Sequence, residues 1–235
     1  KAAEAVYAGF LGSLDWFFSY RSTIDKEEAS ARKTRRQEVT DSRDAQFERL
    51  IDRAALRNED GMKAKLALID ILQNGGQPFA SDESDWAQRK SAQAIRDLAK
   101  PGVENRDLIV WAVQEGLTKS RNMDHQARRY LAEALDQLAT PDKDKRRAIT
   151  REEAALTAAS ALDLQITQRA PYSADTTIES SLVKTIVANG HHKAYPVLEA
   201  LVKEKQGTAL GREAEEALHK MRDSVIQVWR DTAQD

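Results

Sequence analysis

The sequence predicts an all-α fold, and three observations carry that reading. Alanine is the most frequent residue, 36 of 235, and the abundant Leu, Arg, Lys, Glu and Gln are also strong helix formers. No run alternates apolar and polar β-branched residues in the manner of a strand. The five prolines (Pro78, Pro101, Pro141, Pro171 and Pro196) each fall where an apolar helical period stops or is about to start. That is where a residue unable to donate an i to i−4 hydrogen bond belongs.

The expected helices, in order, are 2–20, 22–57 (either continuous or broken near Asp41–Asp44), 59–73, 84–99, 104–119, 124–139, 151–169, 176–189, 193–205 and 211–232. Residues 5–20 bring Val6, Phe10, Leu14, Phe17 and Phe18 near one helix face. Residues 21–46 are crowded with charge and form no apolar stripe, so they read as a solvated spacer helix. From Phe47 onward, short amphipathic helices follow one another across short polar links. Thr150 with Glu153, and Thr176 with Glu179, match the capping box at two helix starts. Asn74-Gly75 and Asn189-Gly190 each follow a helical pattern, so they read as C-caps rather than hairpin turns. On the last helix, Ala214, Leu218, Met221, Val225 and Val228 form a heptad-like seam lasting two heptads, which suits docking on a core.

A recurring element lies in the second part of the chain. It reads GMKAKLALIDIL at 61–72, QRKSAQAIRDL at 88–98, QARRYLAEALDQL at 126–138 and GREAEEALHKM at 211–221. Between the copies lie helices with larger apolar residues, LIVWAV at 108–113 and YPVLEALV at 195–202. The alternation resembles HEAT-like, armadillo-type helical repeats, in which a bulky helix packs on one rich in small residues and Arg. The resemblance covers roughly residues 47–225. It implies an irregular right-handed α-solenoid over 47–235, preceded by a 1–46 segment made of the aromatic helix and the charged spacer. Another multi-helix bundle is the alternative. With Leu68, Ile95, Leu135, Leu162 and Leu218 as markers the spacings are 27, 40, 27 and 56 residues, where a regular array gives about 40 throughout.

Composition narrows the chemistry. Lys plus Arg total 36 and Asp plus Glu 38, a net charge of −2, which excludes nucleic-acid binding by bulk charge. The chain has no cysteine, so disulfides, thiolate metal sites and cysteine nucleophiles are excluded. His191 and His192 are adjacent on a Gly-led link and read as exposed. Glu216 and His219 form a single Glu-x-x-His, where a carboxylate di-iron bundle needs two. Asp142 to Lys145 starts like a calcium loop but lacks the Gly at its sixth position, where Arg147 stands, so it reads as a charged linker. No phosphate loop and no Gly-x-Ser-x-Gly elbow occur. The sequence therefore gives no catalytic, cofactor or metal residues.

One enzymatic version of the HEAT-like fold, the bacterial alkylpurine DNA glycosylases, holds DNA on a basic concave surface with Trp and Asp. Here Asp107 and Trp111 share a helix face, but Trp111 stands in an apolar run and reads as core. The function expected is a non-catalytic protein–protein interaction scaffold. Phe10, Trp16, Phe17, Phe18 and Tyr20 are its expected interaction residues. Two further readings stay open: the stalk-and-solenoid part of a membrane-associated assembly, and a HEAT-like DNA-binding or repair protein. The amino-terminal helix is not itself membrane-spanning, since Glu4 and Asp15 interrupt it. An anchor upstream of Lys1, with 21–46 as its stalk, is compatible with the sequence, as is membrane proximity of the amino-terminus. The expected partner is another protein rather than nucleic acid, in a cytoplasmic or membrane-associated setting.

Overall fold

A computed structural model describes residues 29–74, 81–100, 106–119, 123–141, 147–167 and 176–232. Among these there are nine α-helices, one short 3-10 turn and no strand. The helices are α1 (Ala29–Ala54), α2 (Glu59–Asn74), α3 (Ser81–Leu98), α4 (Arg106–Thr118), α5 (His125–Ala139), α6 (Arg151–Thr167), α7 (Thr177–Asn189), α8 (Tyr195–Glu204) and α9 (Ala209–Thr232). The expected helix over 2–20 lies outside the described residues. Of the two forms left open for the helix over 22–57, the described part takes the continuous one, and α1 runs through Asp41–Asp44 without interruption.

The chain divides into two compact units, Lys1–Ile71 and Leu72–Asp235. In the first unit, α1 turns apolar only near its end, where Phe47, Leu50 and Ala54 are buried at i, i+3 and i+7. In α2, Ala64, Ala67, Leu68 and Ile71 follow the same period. Asn58 starts α2, its Oδ1 accepting the Gly61 N–H at 3.0 Å. Lys65 is nearly fully buried, and its Nζ donates to the Leu56 carbonyl at 3.5 Å.

In the second unit, helices pack on alternate neighbours. α3 packs on α5, α5 on α7, and α7 on α9; α4 packs on α6, and α6 on α8. Successive helices also touch, α3 with α4, α4 with α5, α5 with α6, α6 with α7 and α8 with α9. Two side-chain bonds fix the direction of the α3–α5 pair. Gln88 Oε1 accepts the Asp124 N–H at 3.1 Å, and Arg96 Nη1 donates to Glu133 Oε2 at 3.1 Å. The paired residues are 36 and 37 apart, so α3 and α5 run parallel, advancing together. Between the two sets of helices lies an apolar core that includes Ile95, Ile109, Val113, Leu131, Leu135, Leu138, Leu162, Leu182, Ile186, Leu198 and Leu201. Each of these side chains contributes about 1.5–3 kcal/mol through loss of apolar surface from water.

Small residues let the helices approach closely. α6 buries Ala154, Ala155, Ala158, Ala159 and Ala161 around Leu162. On α4, Gly116 lies against the side chains of Leu131 and Met123.

The two capping boxes part company. Thr150 and Glu153 form theirs in full: Thr150 Oγ1 accepts the Glu153 N–H at 3.1 Å, and Glu153 Oε2 accepts the Thr150 N–H at 3.0 Å. Thr176 makes no such bond to α7. Its φ of −93° and ψ of 16° leave the extended region from which an N-cap side chain reaches back over the helix start. Asn189-Gly190 is a C-cap as expected, with Gly190 at φ 50° donating to the Ile186 carbonyl at 2.8 Å.

Candidate interaction surfaces

The interaction residues expected from the sequence, Phe10, Trp16, Phe17, Phe18 and Tyr20, lie outside the described residues. The described residues of the second unit offer four polar or exposed features.

The first crosses α3 and α5. Arg96 projects from α3 over the Tyr130 ring of α5, 4.7 Å from its centroid. Its Nη1 donates to Glu133 Oε2 at 3.1 Å, and its Nη2 to Asp97 Oδ1 at 3.0 Å. Tyr130 and Glu133, three apart on α5, share one helix face, so ring and carboxylate receive the same guanidinium. Partial burial pulls the Arg96 pKa down. The hydrogen bonds to Asp97 and Glu133 outweigh it, and the net shift is upward. Arg129 adds a bond to Glu133 Oε1 at 3.3 Å. Deeper in α5, burial lowers the pKa of Arg128. Between α7 and α9, Ser180 Oγ donates to Glu213 Oε2 at 2.7 Å, with Lys184 Nζ 3.8 Å from the other carboxylate oxygen.

The second feature is the link after α7. His191 is not the free surface residue expected from its Gly-led position. Its Nε2 lies 3.3 Å from Glu152 Oε1 at the start of α6, with its side chain 15% exposed. Its Nδ1 accepts the Lys193 N–H at 3.4 Å, and its ring lies 4.5 Å from that of His192. Acceptance at Nδ1 leaves the proton on Nε2, aimed at the carboxylate.

The third feature is an open groove of about 280 Å³ between α8 and α9. Tyr195, Val202 and Leu218 supply its apolar lining; Glu199, Lys203, Glu215, His219 and Arg222 supply its polar one. It can seat one or two side chains of a partner rather than a whole small ligand. Glu216 and His219 are both exposed. Among the described residues, no group of three or more His, Asp or Glu is placed to hold a metal.

The fourth feature corrects the sequence reading. Trp111, expected in the core, is 44% exposed. The buried face of α4 is Ile109, Ala112, Val113, Gly116 and Leu117. At about 100° per residue, Trp111 points almost directly away from that face. Asp107 and Glu115, four residues before and after it, stand on the same outer stripe. The helical wheel of 109–117 carries this signal; the apolar run around Trp111 concealed it.

Among the described residues, no helix is long and apolar enough to cross a membrane. No protein-family model, no curated protein and no solved structure matches the chain.

Proposed function

We propose that the chain is a non-catalytic helical-repeat scaffold that holds another protein. The observation that carries this reading is the alternate packing of the second unit, with α3, α5, α7 and α9 stacked in one series, α4, α6 and α8 in another, and α3 parallel to α5. Stacked helix pairs bury a continuous core and leave their outer faces as extended surface, which is how α-solenoids present binding sites. In this reading α4–α5, α6–α7 and α8–α9 are the repeating pairs and α3 opens the stack. The resemblance of the 88–98, 126–138 and 211–221 segments supports it, since all three belong to the α3–α5–α7–α9 series. The step from stack to protein binding is one of analogy, because a fold does not by itself fix a function. The groove between α8 and α9 and the exposed Trp111 give it physical content: aromatic and apolar anchors on a solvated face are what protein partners bury.

Photo-crosslinking tests the proposal. Benzoylphenylalanine is placed in the full chain at Trp111, Lys184 and Arg222, one position at a time, in the native cell. The same partner polypeptide joined from at least two of the three positions is the expected result. A chain that gives no adduct from any of them refutes the scaffold reading.

A further inference from the structure

The outer face of α4 sets an aromatic ring beside carboxylates, as α5 does beneath Arg96. On α5, an aromatic ring (Tyr130) and a carboxylate on the same helix face (Glu133) receive the guanidinium of Arg96 from the neighbouring helix. On α4, a larger ring (Trp111) stands between two carboxylates on its own stripe, Asp107 and Glu115. Among the described residues no cation lies over Trp111, and Asp107 has no ion-pair partner. Among the same residues Glu115 pairs with Lys119, at 2.7 Å, and Lys119 is 71% exposed, so that pair is weak and readily exchanged. An acidic face repels phosphates and attracts cations. The planar, weakly hydrated guanidinium is the cation that combines stacking on an indole with forked bonding to a carboxylate.

We propose that the outer face of α4 docks an arginine-bearing segment of another protein, whose guanidinium stacks on Trp111 and pairs with Asp107 and Glu115. This names the partner's chemistry for the scaffold reading and rests on it. The stack repeats on an outside partner the Arg96–Tyr130–Glu133 arrangement that the chain already uses between its own helices.

The test is a titration of the full chain with a fluorescein-labelled peptide of alternating arginine and alanine, followed by anisotropy. A lysine–alanine peptide of the same length is the comparison. The expected result is saturable binding that weakens with salt, is tighter for arginine than for lysine, and falls about five- to tenfold in Trp111→Ala and in Asp107→Lys. Glu216→Lys, an equal charge change at an exposed position on α9, is expected to leave the affinity within about twofold of the parent value, since exposed charges separated by more than a Debye length are largely screened. Equal losses in Asp107→Lys and Glu216→Lys, unchanged affinity in Trp111→Ala, or an absence of arginine-peptide binding each overturn the proposal. Circular dichroism of each variant excludes unfolding as the cause of a loss. If cross-linking captures a partner while the arginine peptide does not bind, this site fails and the scaffold reading stands.

Discussion

Replacing Gly211 with alanine is expected to loosen the start of α9, against the ordinary preference of helices for alanine. Gly211 is the third residue of α9, where its N–H donates to Thr208 Oγ1 at 3.1 Å. The same hydroxyl donates to the Lys205 carbonyl at 2.6 Å, and the Thr208 N–H donates to that carbonyl at 3.0 Å. The Lys205 carbonyl is therefore held from two sides, directly over Gly211. A Cβ at 211 would overlap its oxygen and stand 2.9 Å from its carbon. Carbon atoms in good contact lie about 3.5–4.0 Å apart, so the loop must retreat by about 1 Å. Forced displacement of that kind costs about 1–3 kcal/mol, and weakening the Thr208 cap adds about 1 kcal/mol. The helix preference for alanine returns about 1 kcal/mol. The net expectation is a destabilisation of about 2 kcal/mol. Hydrogen exchange read by mass spectrometry on peptides spanning 205–217 measures it, since about 2 kcal/mol corresponds to roughly thirtyfold faster local exchange. Gly207→Ala separates the two physical causes: at φ 78° with nothing within 4 Å, it carries only the conformational cost of about 1–2 kcal/mol. Protection in Gly211→Ala equal to or greater than that of the parent chain would refute the argument.

Other substitutions probe the remaining layers of the structure. Leu131→Ala removes a fully buried side chain beside Gly116 and should cost about 2–5 kcal/mol in urea unfolding; Trp111→Ala, on the outer face, should stay within about 0.5 kcal/mol of the parent. Arg96→Ala removes the bond to Glu133 and the stack on Tyr130, both partly solvated, and should cost about 1 kcal/mol in the same measurement. Thr150→Ala should cost about 1 kcal/mol near neutral pH. Hydrogen bonds from the Thr150 side chain and backbone hold the Glu153 carboxyl below its ordinary value of 4.5. A depressed folded pKa gives stability that is fully present above the unfolded value and disappears as the pH falls through the folded one. The gap between parent and Thr150→Ala in thermal unfolding should therefore narrow as the pH drops below 4.5, and a gap that does not change with pH would contradict this assignment.

The helices were legible because each depends on local information. The 3.6-residue period of Ala64, Ala67, Leu68 and Ile71, or of Ala154, Ala158, Ala161 and Leu162, is written in neighbouring residues, and so is the Thr150–Glu153 cap. What failed depends on a third party. Thr176 and Glu179 have the same spacing as Thr150 and Glu153, but the backbone entering α7 is turned so that the hydroxyl cannot reach. His191 found Glu152, 39 positions earlier in the chain, a pairing no local pattern contains. Trp111 was misplaced for a different reason: five apolar residues surround it in the sequence, while the face they define excludes it. Gly61 and Gly211 were legible as the opening residues of two recurring segments, but their purpose was not. Each lies under the carbonyl of the loop before it, Leu56 in one case and Lys205 in the other, and each N–H is capped by the residue three positions earlier, Asn58 and Thr208.

The irregular marker spacings have a physical source in the same packing. Ile95 and Leu135, 40 apart, sit on α3 and α5, two members of one stacked series. Leu135 and Leu162, 27 apart, sit on α5 and α6, and so step from one series to the other. Intervals counted across the two series cannot be constant, because one kind spans a helix pair and the other a single link. Contacts within a series vary less. The α3–α5 bonds join residues 36 and 37 apart, and the Ser180–Glu213 bond between α7 and α9 joins residues 33 apart. The links absorb the differences in length, while side chains that must meet across parallel helices hold the offset. A deletion within a link should therefore be tolerated better than one of equal length inside α5. Loss of one residue from α5 rotates every following side chain by about 100° and would turn Leu135 and Leu138 out of the core, whereas a shortened link alters closure entropy by only a fraction of a kcal/mol. Thermal unfolding of the two deletion variants, one lacking the exposed link residue Pro141 and one lacking Ala132, decides between them; equal loss of stability would show that the offset between parallel helices is not what holds the stack together.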